Sequence, residues 1–292
     1  MEENWNAIFS VQHHPYRDRH WLWQLIPELF PLPPTQEVSF LKTKFFICPI
    51  CKLKIKFNQE VKEHKTDLKY KLCPHNPTWS SQINLYDSNL KQLSVPFALE
   101  QPIVFSVLDV GCGTGATCFP LLEKNGAVKI TAFDFSKQAI SNAKERRFYD
   151  EKRLSLCVDD ATKFNLGQFD FVLIIFVLSS ILEVKNVILM AKAAVKNGGI
   201  CVIVDYSEND YRIVRRESQQ FEYGVVCQRA GDSTILIGFN ILLLKKLIAD
   251  VGMIVYEELE WIKVEKNRKT GQTFERAHFM LKFGIQVLVE TQ

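Results

Sequence analysis

The chain lacks any run of roughly 18 uninterrupted apolar residues, the least a membrane-spanning helix needs. No membrane partner is expected. Its start, Met1-Glu2-Glu3, is acidic and has neither the apolar core of a signal peptide nor an Arg-rich transit helix. Its eight cysteines are not spaced as a secreted disulfide framework, and 292 residues are enough to fold without one. These absences point to a reducing compartment, the cytoplasm, with the nucleus as alternative. Charge of one sign is also scarce: the net charge is only +3. Attraction of the whole molecule to nucleic acid is therefore weak, and any such binding has to come from local patches. What is abundant is apolar material, 47% of residues, ample for one catalytic core and an added module.

The most informative stretch is Val107-Leu108-Asp109-Val110-Gly111-Cys112-Gly113-Thr114-Gly115. The apolar run 103–110 reads as a buried parallel strand that ends in an acid and breaks into three alternating glycines. Glycine has no Cβ, so such a turn lets backbone approach a ligand closely. A helix over 116–123 would then point free N–H groups at an anionic group. The spacing D-x-G-x-G-x-G differs from the dinucleotide fingerprint G-x-G-x-x-G. A second strand, 128–135, places Asp134 about 20 residues beyond the glycines, where an acid accepts hydrogen bonds from ribose hydroxyls. The alternative makes Asp134 the cap of the next helix, 136–147. A third strand, 154–158, ends at Asp159-Asp160, which is either a ligand site or a solvated turn.

From residue 103 onward strands alternate with helices: 169–177, helix 184–196, 200–204, helix 240–251, 254–264 and 277–289. Alternation of this kind specifies an α/β fold, a parallel sheet with helices on both faces. The last two strands, joined by the polar turn 266–272, read as a hairpin.

The glycine turn resembles motif I of class I S-adenosylmethionine methyltransferases. That resemblance implies a Rossmann-like, seven-stranded, mostly parallel sheet with an antiparallel C-terminal strand, plus a small inserted module. It also gives Asp160 and Ala161 the adenine of the cofactor. Trp5-Asn6-Ala7-Ile8-Phe9 and Tyr16-Arg17-Asp18-Arg19-His20-Trp21-Leu22 narrow the family. They are similar to the W-x-x-x-Y and F-K-D-R-H-W signatures of methyltransferase-like enzymes that make 3-methylcytidine in tRNA anticodon loops. The likeness continues at Gly111–Leu122, Phe133–Ser136, Ile175–Ser179 and Asp205-Tyr206, and more faintly at Arg276 and Lys282-Phe283. It covers most of the chain except about residues 30–100.

The resemblance implies three parts: residues 1–30 as an N-terminal lid and substrate segment, 31–99 as an inserted Lys-rich module, and 100–292 as the S-adenosylmethionine-dependent domain. It places Trp5 and Phe9 beside the cofactor and Gly111 at its methionine part, with Asp109 and Gly113 as further cofactor-binding residues. Asp134 takes the ribose, and Ile175 offers a main-chain group to the amino-acid part. Arg19, His20, Asp205 and Tyr206 would serve the reaction. The implied partner is tRNA, with an accessory protein such as a tRNA synthetase or an adaptor. Three positions depart from the family. Phe9 replaces a tyrosine, Val204 stands where an arginine is usual, and Val225–Gly231 replaces a Y-x-R-x-D-G-T stretch.

Methyl transfer from a sulfonium is an in-line displacement. Cytosine N3 is neutral with an available lone pair, so no proton has to leave first and no dedicated general base is needed. Positioning and electrostatics must lower the barrier. A carboxylate such as Asp205 or Asp18 would stabilise the cationic product. Because N3 is hidden in a base pair, the base must be unpaired or extruded and held by stacking, for which Trp21, Tyr16 and Tyr206 are candidates. The rival acceptors are a protein or a small molecule, and a degenerate, non-catalytic RNA-binding member is a further reading.

The insert carries Cys48-Pro49-Ile50-Cys51 and Cys73-Pro74-His75. A C-P-x-C turn aims two thiolates at one metal, and Zn²⁺ takes four N/S ligands in a tetrahedron. Cys48, Cys51, Cys73 and His75 are the expected ligands, with His64 as substitute; the alternative is ordinary reduced thiols. Lysines 42, 44, 52, 54, 56, 62, 65, 69 and 71 face only Glu60, Glu63 and Asp67, with Phe45, Phe46, Phe57 and Tyr70 interleaved. Such a segment suits RNA backbone and unpaired bases, or is simply a solvated lysine-rich face. Arg212, Arg215 and Arg216 form a further candidate phosphate contact.

Overall fold

The computed structural model describes residues 2–29, 45–47, 54–56, 105–163, 167–229, 234–266 and 270–285. Helix α1 (Glu2–Val11) opens the chain. Strands β1 (Phe45–Ile47) and β2 (Lys54–Lys56) pair as an antiparallel hairpin, Ile47 opposite Lys54. The catalytic core follows: β3 (Phe105–Val110), α2 (Cys118–Lys124), β4 (Val128–Asp134), α3 (Lys137–Lys144), β5 (Leu154–Val158) and β6 (Phe169–Ile175). Then come α4 (Val184–Ala194), β7 (Val195–Tyr206), α5 (Tyr211–Val214), β8 (Gln219–Phe221), β9 (Gly224–Gln228) and β10 (Ile235–Phe239). Helix α6 (Ile241–Asp250), β11 (Ile254–Lys266) and β12 (Thr273–Gly284) complete it.

Seven strands form one sheet in the order β11-β12-β7-β6-β3-β4-β5. The β3–β6, β6–β7 and β4–β5 pairs are parallel, whereas β12 runs antiparallel to both β7 and β11. This is the class I methyltransferase sheet. Its central strands are apolar on both faces, as a strand covered on both sides requires: Val107, Leu108, Val172 and Ile174 are buried in β3 and β6, and Val202 and Ile203 in β7. Helices α4 and α6 bury one stripe each, Val187, Ile188 and Ala191 in the first and Leu244 and Ile248 in the second. Asn240 caps α6, its side chain accepting from the N–H groups of Leu242 and Leu243.

The parallel strands and the last hairpin overlap their apolar runs, but boundaries differ: β7 is Val195–Tyr206 rather than 200–204, and β12 is Thr273–Gly284 rather than 277–289. Helix α4 stops at Ala194 rather than at residue 196, because β-branched Val195 already pairs with Phe169 as the first residue of β7. Between β7 and α6 the chain forms a small antiparallel sheet, β10-β9-β8, to which sequence reading assigned no strands.

The chain divides into two compact units. One comprises Met1–Arg17, Val107–Gly115 and Ile130–Gln292; the other comprises Asp18–Ser106 and Ala116–Lys129. In the second unit the segment after Asp18 turns through two short 3₁₀ turns, Leu22–Gln24 and Pro27–Leu29. There the Asn125 amide donates to the Leu29 carbonyl at 2.9 Å. No helix among the described residues is long and apolar enough to cross a membrane.

Candidate active site

The glycine turn after β3 is built in the left-handed region. Gly111, Gly113 and Gly115 have φ of 60°, 55° and 84°. A Cβ on Gly111 would sit 2.6 Å from Val177 Cγ1, so the position excludes side chains on both steric and conformational grounds. The Cys112 N–H donates to the Phe133 carbonyl at 2.9 Å, tying the turn to the end of β4. There Asp134 receives the Gly113 N–H on one oxygen and the Ser136 N–H on the other, each at 2.9 Å. Burial pushes its carboxyl up to about 6, against those two donors. The cap of α3 is Ser136, whose hydroxyl accepts from Ala139 N–H. Asp134 is thus not the helix cap; it joins the glycine turn after β3 to the start of α3.

Helix α1 lies along this site. Trp5 and Phe9 are buried and stacked with ring centroids 6.0 Å apart, and Phe9 Cζ lies 3.6 Å from where a Gly113 Cβ would be. Two polar side chains hold the helix. Asn6 Oδ1 accepts from the Ser136 hydroxyl at 2.6 Å, and Asn142 donates to the Phe9 carbonyl at 2.9 Å. Phe9 carries no hydroxyl, and its ring fills apolar space with Trp5 and Ala139.

Just after β5, Asp160 accepts from both the N–H and the hydroxyl of Thr162, at 2.9 and 2.8 Å. Those bonds outweigh partial desolvation and, with nearby Lys163, hold its carboxyl below the usual range. Ala161 is buried beside it. Ile175 ends β6 with no exposure, and Phe176 follows at φ 57°, rare for a bulky side chain. Its N–H donates to the Val204 carbonyl at 2.8 Å.

Asp205, at the end of β7, is fully buried. Its oxygens accept the N–H groups of Ser179 and Tyr206, both at 2.9 Å, and burial pushes its carboxyl up to about 6. It therefore fixes the loop after β6. Tyr206 is half-buried between Phe176 at 5.0 Å and His278 at 5.5 Å, with the guanidinium of Arg276 5.1 Å from its ring. Arg212 also reaches its hydroxyl at 3.3 Å, and Arg215 stands over Tyr211 at 5.1 Å.

The structure thus brings Trp5, Phe9, Asp109, Gly111, Gly113, Asp134, Asp160, Ala161, Ile175, Asp205 and Tyr206 into one unit. Arg19 and His20 belong to the other. There Arg19 donates to the Thr117 hydroxyl at 2.6 Å, while exposed His20 stands 3.8 Å from Glu123. Cys48, Cys51, His64, Cys73 and His75 lie outside the described residues, and among those described no cluster of metal-ligating side chains occurs.

Sequence reading missed Arg229. It donates to Ser180 Oγ and Thr234 Oγ1, both at 3.3 Å, and its guanidinium lies 5.4 Å from the Trp5 ring. The altered stretch 225–231 thus carries a cation that touches both α1 and the loop after β6. An arginine among residues departing from the family pattern was its only signal.

The model of a methyltransferase domain family matches residues 105–278. The chain belongs to this family. Over 98% of its length it is 26% identical to the human tRNA N(3)-cytidine methyltransferase METTL2B, covering 79% of that protein. It is 31% identical to the rat tRNA N(3)-cytidine methyltransferase METTL6 over 61% of this chain and 64% of that one. A solved S-adenosylmethionine-dependent methyltransferase from Methanosarcina mazei superposes with a TM-score of 0.47 at 18% identity, over 64% of this chain and 95% of its own. In this methyltransferase the matched segment includes the glycine turn, Asp134, Asp160, Asp205 and Tyr206.

Proposed function

We propose that this methyltransferase transfers a methyl group from S-adenosylmethionine to N3 of a cytidine in tRNA. The observation that carries the reading is likeness to a tRNA N(3)-cytidine methyltransferase over nearly the whole chain, with the glycine turn and Asp134 in ligand-ready geometry. The residues fit the cofactor. Asp134 offers a buried carboxylate to paired hydroxyls, and the stacked rings of Trp5 and Phe9 stand by Gly113 as an apolar wall. Trp5, Phe9, Asp109, Gly111, Gly113, Asp134, Asp160, Ala161 and Ile175 are the residues that would hold it. When bound, the cofactor supplies an electrophilic methyl group on a sulfonium.

The protein's own part is positioning. Asp205 spends both oxygens on backbone N–H groups, so its role is to fix the loop after β6 and hold Tyr206 in place. Tyr206 supplies an aromatic face for an extruded base. Arg19 and His20 keep the substrate-handling role that the resemblance gives them. We also assign structural zinc to Cys48, Cys51 and Cys73 with His75 or His64, supported by ligand spacing; Ile47 and Lys54, which flank the first pair in sequence, are paired in a hairpin. A tRNA synthetase or adaptor remains the proposed accessory partner, and the cytoplasm the proposed compartment.

The test offers labelled S-adenosylmethionine with tRNA, with a protein extract and with a small-molecule extract. Label entering tRNA alone is the expected result. Label entering protein or small molecules instead would give the chain another acceptor, and no transfer with intact cofactor binding would make it a non-catalytic RNA-binding member.

A further inference from the structure

At the C-terminal edge of the sheet four rings stand in a row. Trp261 of β11 is opposite His278 of β12, and His278 is opposite Tyr206 of β7. Phe176 follows the end of β6. The His278 ring stacks on Trp261 at 5.4 Å and 20°, meets Phe176 edge-on at 5.6 Å and lies 5.5 Å from Tyr206. Ligands of open α/β sheets bind outside the carboxyl ends of the parallel strands, and this row stands at the ends of β6 and β7.

Arg276 and His278 lie two residues apart on β12 and so share one face of it. They are 4% and 8% exposed, and each buries a polar atom without a hydrogen-bond partner among the described residues: Nη2 of Arg276 and Nδ1 of His278. The rest of Arg276 is spoken for, since Nε donates to Asp210 at 2.8 Å and Nη1 lies 3.6 Å from Glu265. Asp210 in turn accepts from the Ala277 and Arg212 N–H groups. An unsatisfied buried polar atom costs about 1–3 kcal/mol, so two of them beside a row of aromatic faces suggest a polar, planar ligand.

Burial and the neighbouring Arg276 hold His278 down to about 4, so its ring is neutral at physiological pH. In the tautomer protonated on Nε2, Nδ1 is an acceptor, and Arg276 Nη2 is always a donor. An acceptor and a donor two residues apart on one strand face suit the cytosine edge, whose amino group and 2-carbonyl flank N3. Uracil presents carbonyls at both places.

Resting on the proposed function, we infer that Phe176, Tyr206 and Trp261 rim the site of the target base, and that His278 reads its exocyclic amino group while Arg276 meets its 2-carbonyl. His278 is thus a specificity-determining residue for cytidine.

The test crosses an enzyme change with a substrate change. The methylated position is located with the parent enzyme. A stem-loop is then made with cytidine there, and another with the 2-pyrimidinone nucleoside, which keeps N3 and the 2-carbonyl but lacks the amino group. His278→Phe keeps an aromatic ring on Trp261 and removes both nitrogens. Loss of the amino group should lower kcat/KM of the parent on the order of tenfold or more, the scale of one buried hydrogen bond left unpaired. His278→Phe should lose about as much on cytidine and nothing further on 2-pyrimidinone. Retained S-adenosylmethionine affinity shows that a variant is folded, and His278→Leu, which also has no acceptor, replaces His278→Phe if that variant is not. A parent indifferent to the amino group, or losses that simply multiply, would overturn the inference whichever variant is used. A parent that methylates no cytidine in any tRNA overturns the proposed function instead.

Discussion

Asp134 holds the cofactor-side geometry together through two backbone donors, and its carboxyl sits near 6 because burial penalises its charge. Its folded-state pKa lies above the ordinary 3.8, so its contribution to stability is full below that value and is lost as pH rises through about 6. Ribose hydroxyls donate to the ionised form, so cofactor binding should run the other way. Affinity for S-adenosylmethionine should rise about tenfold between pH 5 and 7, and calorimetry should show proton release near pH 6. Asp134→Asn should flatten that profile; Asp205 titrates in the same range but is engaged with backbone away from the ribose position. At pH 7.5, Asp134→Ala should weaken binding by roughly 1.5–3 kcal/mol, the scale of charge-assisted hydrogen bonds. Unchanged affinity in folded Asp134→Ala would remove the ribose assignment. Gly111→Ala meets two costs, the 2.6 Å approach to Val177 and about 1–2 kcal/mol for a left-handed φ. Adding Val177→Ala should restore cofactor affinity only in part, because the backbone strain remains. Full restoration would mean that the contact alone matters.

At the scale of elements, much of the architecture was legible in sequence. The apolar runs of β3 and β6 and the acid ending β4 follow from their own residues, because buried parallel strands must be apolar on both faces, whereas β5, at the sheet edge, is apolar on one face only. What was not legible depends on partners distant in sequence. Strands β8 and β9 are short and partly polar, and they exist because Gly224 lets the chain pass the Gly238 carbonyl, where a Cβ would meet it at 2.1 Å. Asn6 and Asn142 read as ordinary polar residues of amphipathic helices, yet they fasten α1 to the start and body of α3. His278 read as one more strand residue; its role comes from the four-strand row it completes. Lys54 and Lys56 belong to strand β2, with Lys52 just before them in sequence. Replacing all three with Gln should weaken tRNA binding and lower the slope of log affinity against log salt by about 2, while leaving S-adenosylmethionine affinity alone. Identical slopes for variant and parent would show that these lysines do not meet phosphate.

Across the whole molecule, the sheet order β11-β12-β7-β6-β3-β4-β5 divides the labour. One half, β3 to β5, gathers the glycine turn, Asp134 and Asp160. The other, β6 to β12, gathers Phe176, Asp205, Tyr206, Arg276 and His278. The residues proposed to bind the cofactor and those proposed to hold the base therefore come from opposite halves of one sheet, an arrangement suited to a reaction that depends on alignment. Of the three departures from the family, Phe9 lies on α1, Val204 in β7 of the second half, and the 225–231 stretch begins in the small sheet between β7 and α6, so the acceptor is where the account is most exposed. The direct measurement is nucleoside mass spectrometry of tRNA incubated with the protein and isotope-labelled S-adenosylmethionine. The account predicts labelled 3-methylcytidine, diminished in Asp134→Ala. Label in another nucleoside, or none in tRNA from protein that binds the cofactor, would contradict it.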